Sequence, residues 1–303
     1  MVLAALVGNG LIALAKYGAA WFTGSSAMLS EAIHSTVDCG NEILLMVGLS
    51  RSERPPDEAH PFGYGMEVYF WTFMVAVLIF GLGAGFSMLE GIDKVLHPRP
   101  IEHVPVSFAV LGVAFVLDGI SWVIALRRLQ AESPEHGILA TARRSKDPTV
   151  FAVLAEDTAA LIGLAVAAAG IGVGAALDIP ALDGVASIGI GLVLALTAIL
   201  LARECLSLLT GEAALPELRR SVRGIATSQP GVLGISEFAT LQFGPQSVIV
   251  TLSVEFADAF AADDVERAVA AIERRIKAAH PDVARVFVEA QAREMVGATS
   301  LVT

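Results

Sequence analysis

Five residues of the segment 26–49, namely Glu31, His34, Asp38, Asn41 and Glu42, recur at spacings of three and four. On a helix such spacing places them in one stripe about 100° wide. The segment is otherwise apolar enough to cross a bilayer. A charge at mid-membrane costs at least about 2.5–3.5 kcal/mol, so ionisable residues there mark a pathway or a site. His34 and Asp38 set an imidazole and a carboxylate one turn apart on the same face. That is how one helix offers two ligands to a metal ion.

Two ligands do not complete a site. The second source is the run Val150–Asp157, where Glu156 and Asp157 follow an apolar stretch. Asp157 is expected to face His34 and Asp38, with Glu156 about 100° further round. One imidazole with carboxylate oxygens suits Zn²⁺, and also Mn²⁺, Fe²⁺ or Co²⁺. The competing reading is a polar network that only holds helices together. Lys16 and Asp118, also in apolar segments, are expected to pair with each other, or Lys16 balances the second segment's carboxylates. Glu31, Asn41 and Glu42 are read as lining or helix-contact residues.

The elements that must carry these residues follow from composition. Of 303 residues 55% are hydrophobic and 17% charged, and the mean hydropathy is +0.67. These values describe a multi-pass membrane protein. Six membrane segments are expected, at 2–22, 26–49, 68–95, 104–126, 149–176 and 183–203. The turn Thr23-Gly24-Ser25-Ser26 makes the first two an antiparallel hairpin. The apolar run at the amino end outlasts a signal h-region and shows no cleavage pattern, so no cleavable leader is expected. The net charge of −11 argues against nucleic acid as a partner. Cys39 and Cys205 form no disulfide framework and no CxxC motif.

Basic residues set the orientation. Arg51, Arg54, Arg127, Arg128, Arg143, Arg144, Lys146 and Arg203 border loops on one side, against Lys94 and Arg99 on the other. The bias puts both termini in the cytoplasm. A transmembrane domain over 1–210 is therefore followed by a cytoplasmic domain over 211–303. In that domain 215–228 reads as a helix and 231–243 and 247–256 as strands. Asp263 caps a helix to 279, and 283–289 is a last strand. This α-β-β-α-β order predicts a small α+β sheet with helices on one face.

The stretch Thr23–Asp38 (TGSSAMLSEAIHSTVD) resembles the second-helix signature of the cation diffusion facilitator transporters. The loop His60-Pro61-Phe62-Gly63-Tyr64-Gly65 resembles theirs too, as do the span count and the metallochaperone-like tail. Asp147-Pro148-Thr149 and Leu154–Ala159 are most similar to the branch of the ninth human zinc transporter. The resemblance implies a dimeric divalent-cation/proton antiporter, mostly for zinc. It implies a transport site of His34 and Asp38 on the second helix and Asp157 on the fifth. The remaining ligand position of the family falls on Val153, and Glu156 is the candidate replacement. A second ion site in some members corresponds here to Asp57 and His60, with a later His replaced by Tyr64; a structured turn is the alternative. His280, the tail's single histidine, is read as a helix-end residue, and the tail as a dimerisation module without metal.

The expected function is zinc efflux from the cytoplasm by proton antiport with alternating access, in a homodimer embedded in the bilayer of a bacterial inner membrane. No prosthetic group is implied: the metal is cargo and protons are the counter-ion, competing for the same atoms. Alternatives are a manganese, iron or cobalt transporter of the same fold, or a non-transporting membrane scaffold. An intramembrane metallohydrolase needs a general base beside a metal-bound water, and no HExxH motif supplies one.

Overall fold

A computed structural model describes residues 2–132 and 146–291. The described residues fall into two compact units, divided between Leu206 and Ser207.

The first unit is helical. Its long helices are α1 (Val2–Thr23), α2 (Ser26–Ser52), α3 (Glu67–Leu96), α4 (Val104–Glu132), α5 (Pro148–Leu177) and α6 (Ala181–Leu209). Each begins within a few residues of the expected segment, and α4 and α6 each run six residues past the expected end. Among the described residues, α3, α4, α5 and α6 are long and apolar enough to cross a membrane by composition alone. In α2 the polar stripe interrupts the apolar run, although its 27 residues exceed the roughly 20 that a span requires. The burial pattern is that of a membrane bundle. Leu14, Leu89, Val113, Val116 and Leu196 face outward while Lys16, Glu31, His34 and Asn41 are buried. Water would penalise that apolar surface; hydrocarbon does not. Residues 133–145 of the fourth inter-helix connection, Arg143 and Arg144 among them, lie outside the described residues.

Local chemistry sets the helix ends. Gly24 adopts φ +64°, a left-handed conformation that glycine tolerates without a Cβ penalty. It turns the chain from α1 into α2, where Ser25 caps by accepting from the Met28 amide at 3.2 Å. Asp147 caps α5 by accepting from the Thr149 amide at 2.9 Å, with Pro148 in the first turn. Within α3 the backbone widens into a π-helical turn over Ile79–Ala84. Helices α3 and α6 cross at glycines: a Cβ on Gly91 would lie 2.7 Å from the Gly184 carbonyl oxygen, and one on Gly184 2.7 Å from that of Gly91.

The second unit has the expected order α7 (Pro216–Thr227), β1 (Val232–Gly244), β2 (Ser247–Phe256), α8 (Ala262–Ala279) and β3 (Val283–Ala290). The sheet order is β1-β2-β3, with β1/β2 antiparallel and β2/β3 parallel. Val248, Val250, Leu252 and Val254 alternate along β2 and pack on Leu218 and Val222 of α7 and Ile272 and Ile276 of α8, so both helices cover one face. The start of α8 differs from the expected Asp263 cap. Ala261 is the capping position, and the Asp264 side chain accepts from its amide at 3.0 Å. His280 ends α8, and its Nε2 lies 2.7 Å from Ser221 Oγ.

Candidate metal-ion site

The α2 stripe meets side chains of α1 and α5. At one end of the α1–α2 hairpin, Asn9 Nδ2 donates to Glu42 Oε1 at 2.7 Å. At the other, Lys16 Nζ binds Glu31 Oε2 at 3.1 Å and donates to Ser35 Oγ at 2.8 Å. Of the two expectations for Lys16, the second-helix carboxylate is its partner. Asp118 sits elsewhere, on the wall of a cavity.

That cavity, about 120 Å³, lies between α1, α2, α4 and α5. Asp38, Glu156 and Asp157 line it together, with Asp118 and Glu42 adding two further carboxylates. Asp38 and Glu156 lie within hydrogen-bonding reach of each other. Two carboxyl groups so placed hold either a shared proton or a cation between them. Glu156 is steadied by Asn41, whose Nδ2 donates to Oε1 at 2.9 Å. Asp157 accepts from Ser121 Oγ on α4 at 3.3 Å. Val153, at the family's remaining ligand position, also lines the cavity.

His34 is buried beside this group and does not line the cavity. Its Nδ1 lies 3.2 Å from Asp38 Oδ1, and neither ring nitrogen makes a hydrogen bond. Buried polar atoms left without partners are costly and few; here they cluster at His34, Asp38 Oδ1, Asn41 Oδ1 and Glu42 Oε2. Among the described residues, no three His, Cys, Asp or Glu side chains already converge as a ligand set. The groups are gathered around one cavity without forming a converged set.

The loop residues Asp57 and His60 do meet, outside the bundle. Asp57 Oδ1 accepts from the His60 amide at 2.7 Å, and Oδ2 accepts from the Tyr64 hydroxyl at 2.6 Å. The His60 ring tilts over that of Tyr64 at 4.1 Å. The Tyr64 hydrogen bond, and then that of the His60 amide, hold the Asp57 carboxyl below its ordinary range. Both carboxylate oxygens are thus engaged in the turn.

Asn9, Asp118 and Ser121 are lining residues that spacing did not single out for the site. Asp118 carried the one available signal, a carboxylate in a segment otherwise fit for lipid.

Comparison with known proteins gives the arrangement its context. The profile described as the cation efflux transmembrane domain matches residues 2–210. The chain belongs to the cation efflux family. Within it, the human protein named proton-coupled zinc antiporter SLC30A9, mitochondrial, is 31% identical over 258 residues, which are 84% of this chain and 45% of that protein. Metal tolerance protein C4 of Arabidopsis thaliana is 35% identical over 216 residues, 70% of this chain and 47% of its own. The cation-efflux pump FieF of Shigella flexneri is 28% identical over 271 residues, 86% of this chain and 83% of its own. The chain spans about half the length of the antiporters it matches. Two of these relatives are named for transport, as an antiporter and as a cation-efflux pump.

Proposed function

We propose that this chain moves divalent metal cations across a membrane, with zinc as the preferred cargo and protons as the counter-ion. The observation that carries the reading is the meeting of Asp38 and Glu156, with Asp157 beside them, in a cavity inside a lipid-facing helix bundle. Ion and proton compete for one carboxylate pair, so loading from one side and protonation from the other drive exchange. The ligands are Asp38, Asp157 and Glu156, joined by His34 when its ring turns from Asp38 toward the cavity. Glu156 thus fills the role left open by Val153. The sequence similarity to proteins named as zinc antiporters supports the choice of cargo.

The cavity extends from Asp38 past Glu42 and Asn9, toward the end of the bundle where α1 begins and α2 finishes. With both termini in the cytoplasm, as the distribution of basic residues implies, that end faces the cytoplasm. The transport domain is taken as 1–210 and the α+β unit over 211–303 as the dimerisation module, in a bacterial inner membrane.

The test is zinc flux in vesicles under an imposed pH gradient, with manganese, iron and cobalt as competitors. Flux is expected to follow the gradient and to fall at least about a hundredfold in Asp38→Ala and Asp157→Ala. Undiminished flux in either variant refutes the assignment. His34→Asp replaces nitrogen by oxygen, and is expected to lower zinc transport relative to manganese; an unchanged ratio removes His34 from selectivity.

A further inference from the structure

One ion pair lies beside the cavity, on the side toward the turn between α1 and α2, and the proposed transport site does not use it. Lys16 and Glu31 are fully buried, 3.1 Å apart. Lys16 also binds Ser35, and Ser35 is itself a wall residue of the cavity. The antiparallel hairpin explains the placement. Asn9 meets Glu42 on one side of Asp38, and Lys16, two turns further along α1, meets Ser35 and Glu31 on the other side.

Glu31 is a carboxylate with a spare acceptor. Its Oε1 makes no hydrogen bond. It sits where a Cβ on Gly163 of α5 would have to be, so α5 is closed against it. Glu31, Ser35, Asp38 and Glu42 follow one another along a single helix face. The ammonium of Lys16 therefore splits that face. Asp38 and Glu42 open to the cavity, while Glu31 is held by a cation belonging to the protein.

We propose that Lys16 sets the affinity of the cavity for its divalent cation: by occupying Glu31 it keeps a further buried carboxylate out of the ion's reach, and its own charge opposes the ion across Ser35. A transport site must bind and also release. An additional carboxylate in a dehydrated cavity strengthens attraction for a divalent ion far more than it would in water. Lys16 limits this attraction without contributing a ligand, so it is a positioning residue. This inference rests on the transport reading above.

The experiment measures zinc binding to purified full-length protein by competition with a chromophoric chelator, alongside flux in vesicles. Lys16→Met is expected to bind zinc at least about tenfold more tightly and to turn over more slowly, because Glu31 joins the acceptors. Glu31→Gln leaves Lys16 without its carboxylate, and is expected to bind at least about tenfold more weakly. The double variant Lys16→Met/Glu31→Gln removes both charges and returns affinity to within about threefold of the parent. Folding is checked by a monodisperse elution profile. Should Lys16→Met not fold, the pair Glu31→Gln and Lys16→Met/Glu31→Gln still decides. A pair that serves only to hold helices together lowers thermal stability in the variants and leaves zinc affinity unmoved, and that result overturns the proposal. If the parent binds zinc and moves it but Lys16→Met binds no tighter, this inference alone fails. If the parent neither binds nor moves zinc, the transport reading fails and this inference with it.

Discussion

Asp183, at the start of α6, caps α2: its Oδ2 accepts from the Ser26 amide at 2.6 Å, from 157 residues away in the chain. The same carboxylate accepts from Ser25 Oγ at 2.6 Å, Ser26 Oγ at 3.0 Å and the Ala27 amide at 3.3 Å. Lys94 of α3 completes the clamp, 3.7 Å from Asp183 Oδ2 and donating to the Gly24 carbonyl at 2.6 Å. The first amides of α2 would otherwise be orphan donors in a water-poor place. A carboxylate there also meets the positive end of the helix dipole. Behind the clamp, Ser30 and Ser187 hydrogen-bond to each other and Ser187 donates to the Ser87 carbonyl. Three helices are thereby tied at the end of the bundle where α2 begins.

Asp183→Ala removes the acceptor of four of these hydrogen bonds and takes the counter-charge from the Lys94 ammonium. A loss of about 3 kcal/mol is expected, since a buried, multiply bonded charge leaves its partners uncompensated. Thermal unfolding in detergent, followed by tryptophan fluorescence, reads it. An unchanged Tm would mean that water replaces the carboxylate at no cost.

The α3/α6 crossing tolerates no side chain. Gly184→Ala drives a Cβ to 2.7 Å from the backbone of Gly91, and backbone cannot swing aside as a side-chain tip can. It is expected to cost about 1–3 kcal/mol. Gly10→Ala in α1 is the control: nothing lies within 4 Å of the added carbon, and the gain in helix propensity makes it neutral or stabilising by up to about 1 kcal/mol. Equal losses in both would refute the close-crossing argument.

The Asp57 turn carries a pH dependence. Its folded carboxyl titrates below the ordinary range because Tyr64 and the His60 amide donate to it. A group depressed in the folded state stabilises above its unfolded pKa of about 3.9, and that contribution is lost as pH falls through the folded value. The turn should hold from neutrality down to about pH 4 and loosen in stronger acid. The same hydrogen bond raises the Tyr64 phenol above its usual range. Tyr64→Phe should return the Asp57 carboxyl toward its ordinary value, as read by carbon NMR titration; an unmoved titration would place the cause elsewhere.

Much of the architecture was legible in the residues. Hydropathy located all six long helices of the described chain, and alternation located the strands of the tail. Each of these is a local property: an apolar run of sufficient length must form a helix in lipid, and a two-residue period must form a half-buried strand. The α2 stripe was legible for the same reason, since 3.6 residues per turn decides which side chains share a face. Local reading failed where one position chose its partner by geometry, as with the cap of α8. There the Asp264 side chain reaches back to Ala261, and Asp263, equally plausible by type, does not serve.

Residue types and spacing determined that ionisable groups would sit inside an apolar bundle, and on which helices. They did not determine which groups would meet. Lys16 binds Glu31 and leaves Asp118 to the cavity; Asp38 finds Glu156; His34 stays beside the cavity. These pairings depend on the depth and rotation of each helix against its neighbours. Packing across the whole bundle sets both, through close crossings such as Gly91 on Gly184 and the space left at Gly163 for Glu31. The period along one helix carries no record of how far its neighbour has turned, so only the tertiary structure could divide the polar stripe into a pair that is filled and a cavity that is open.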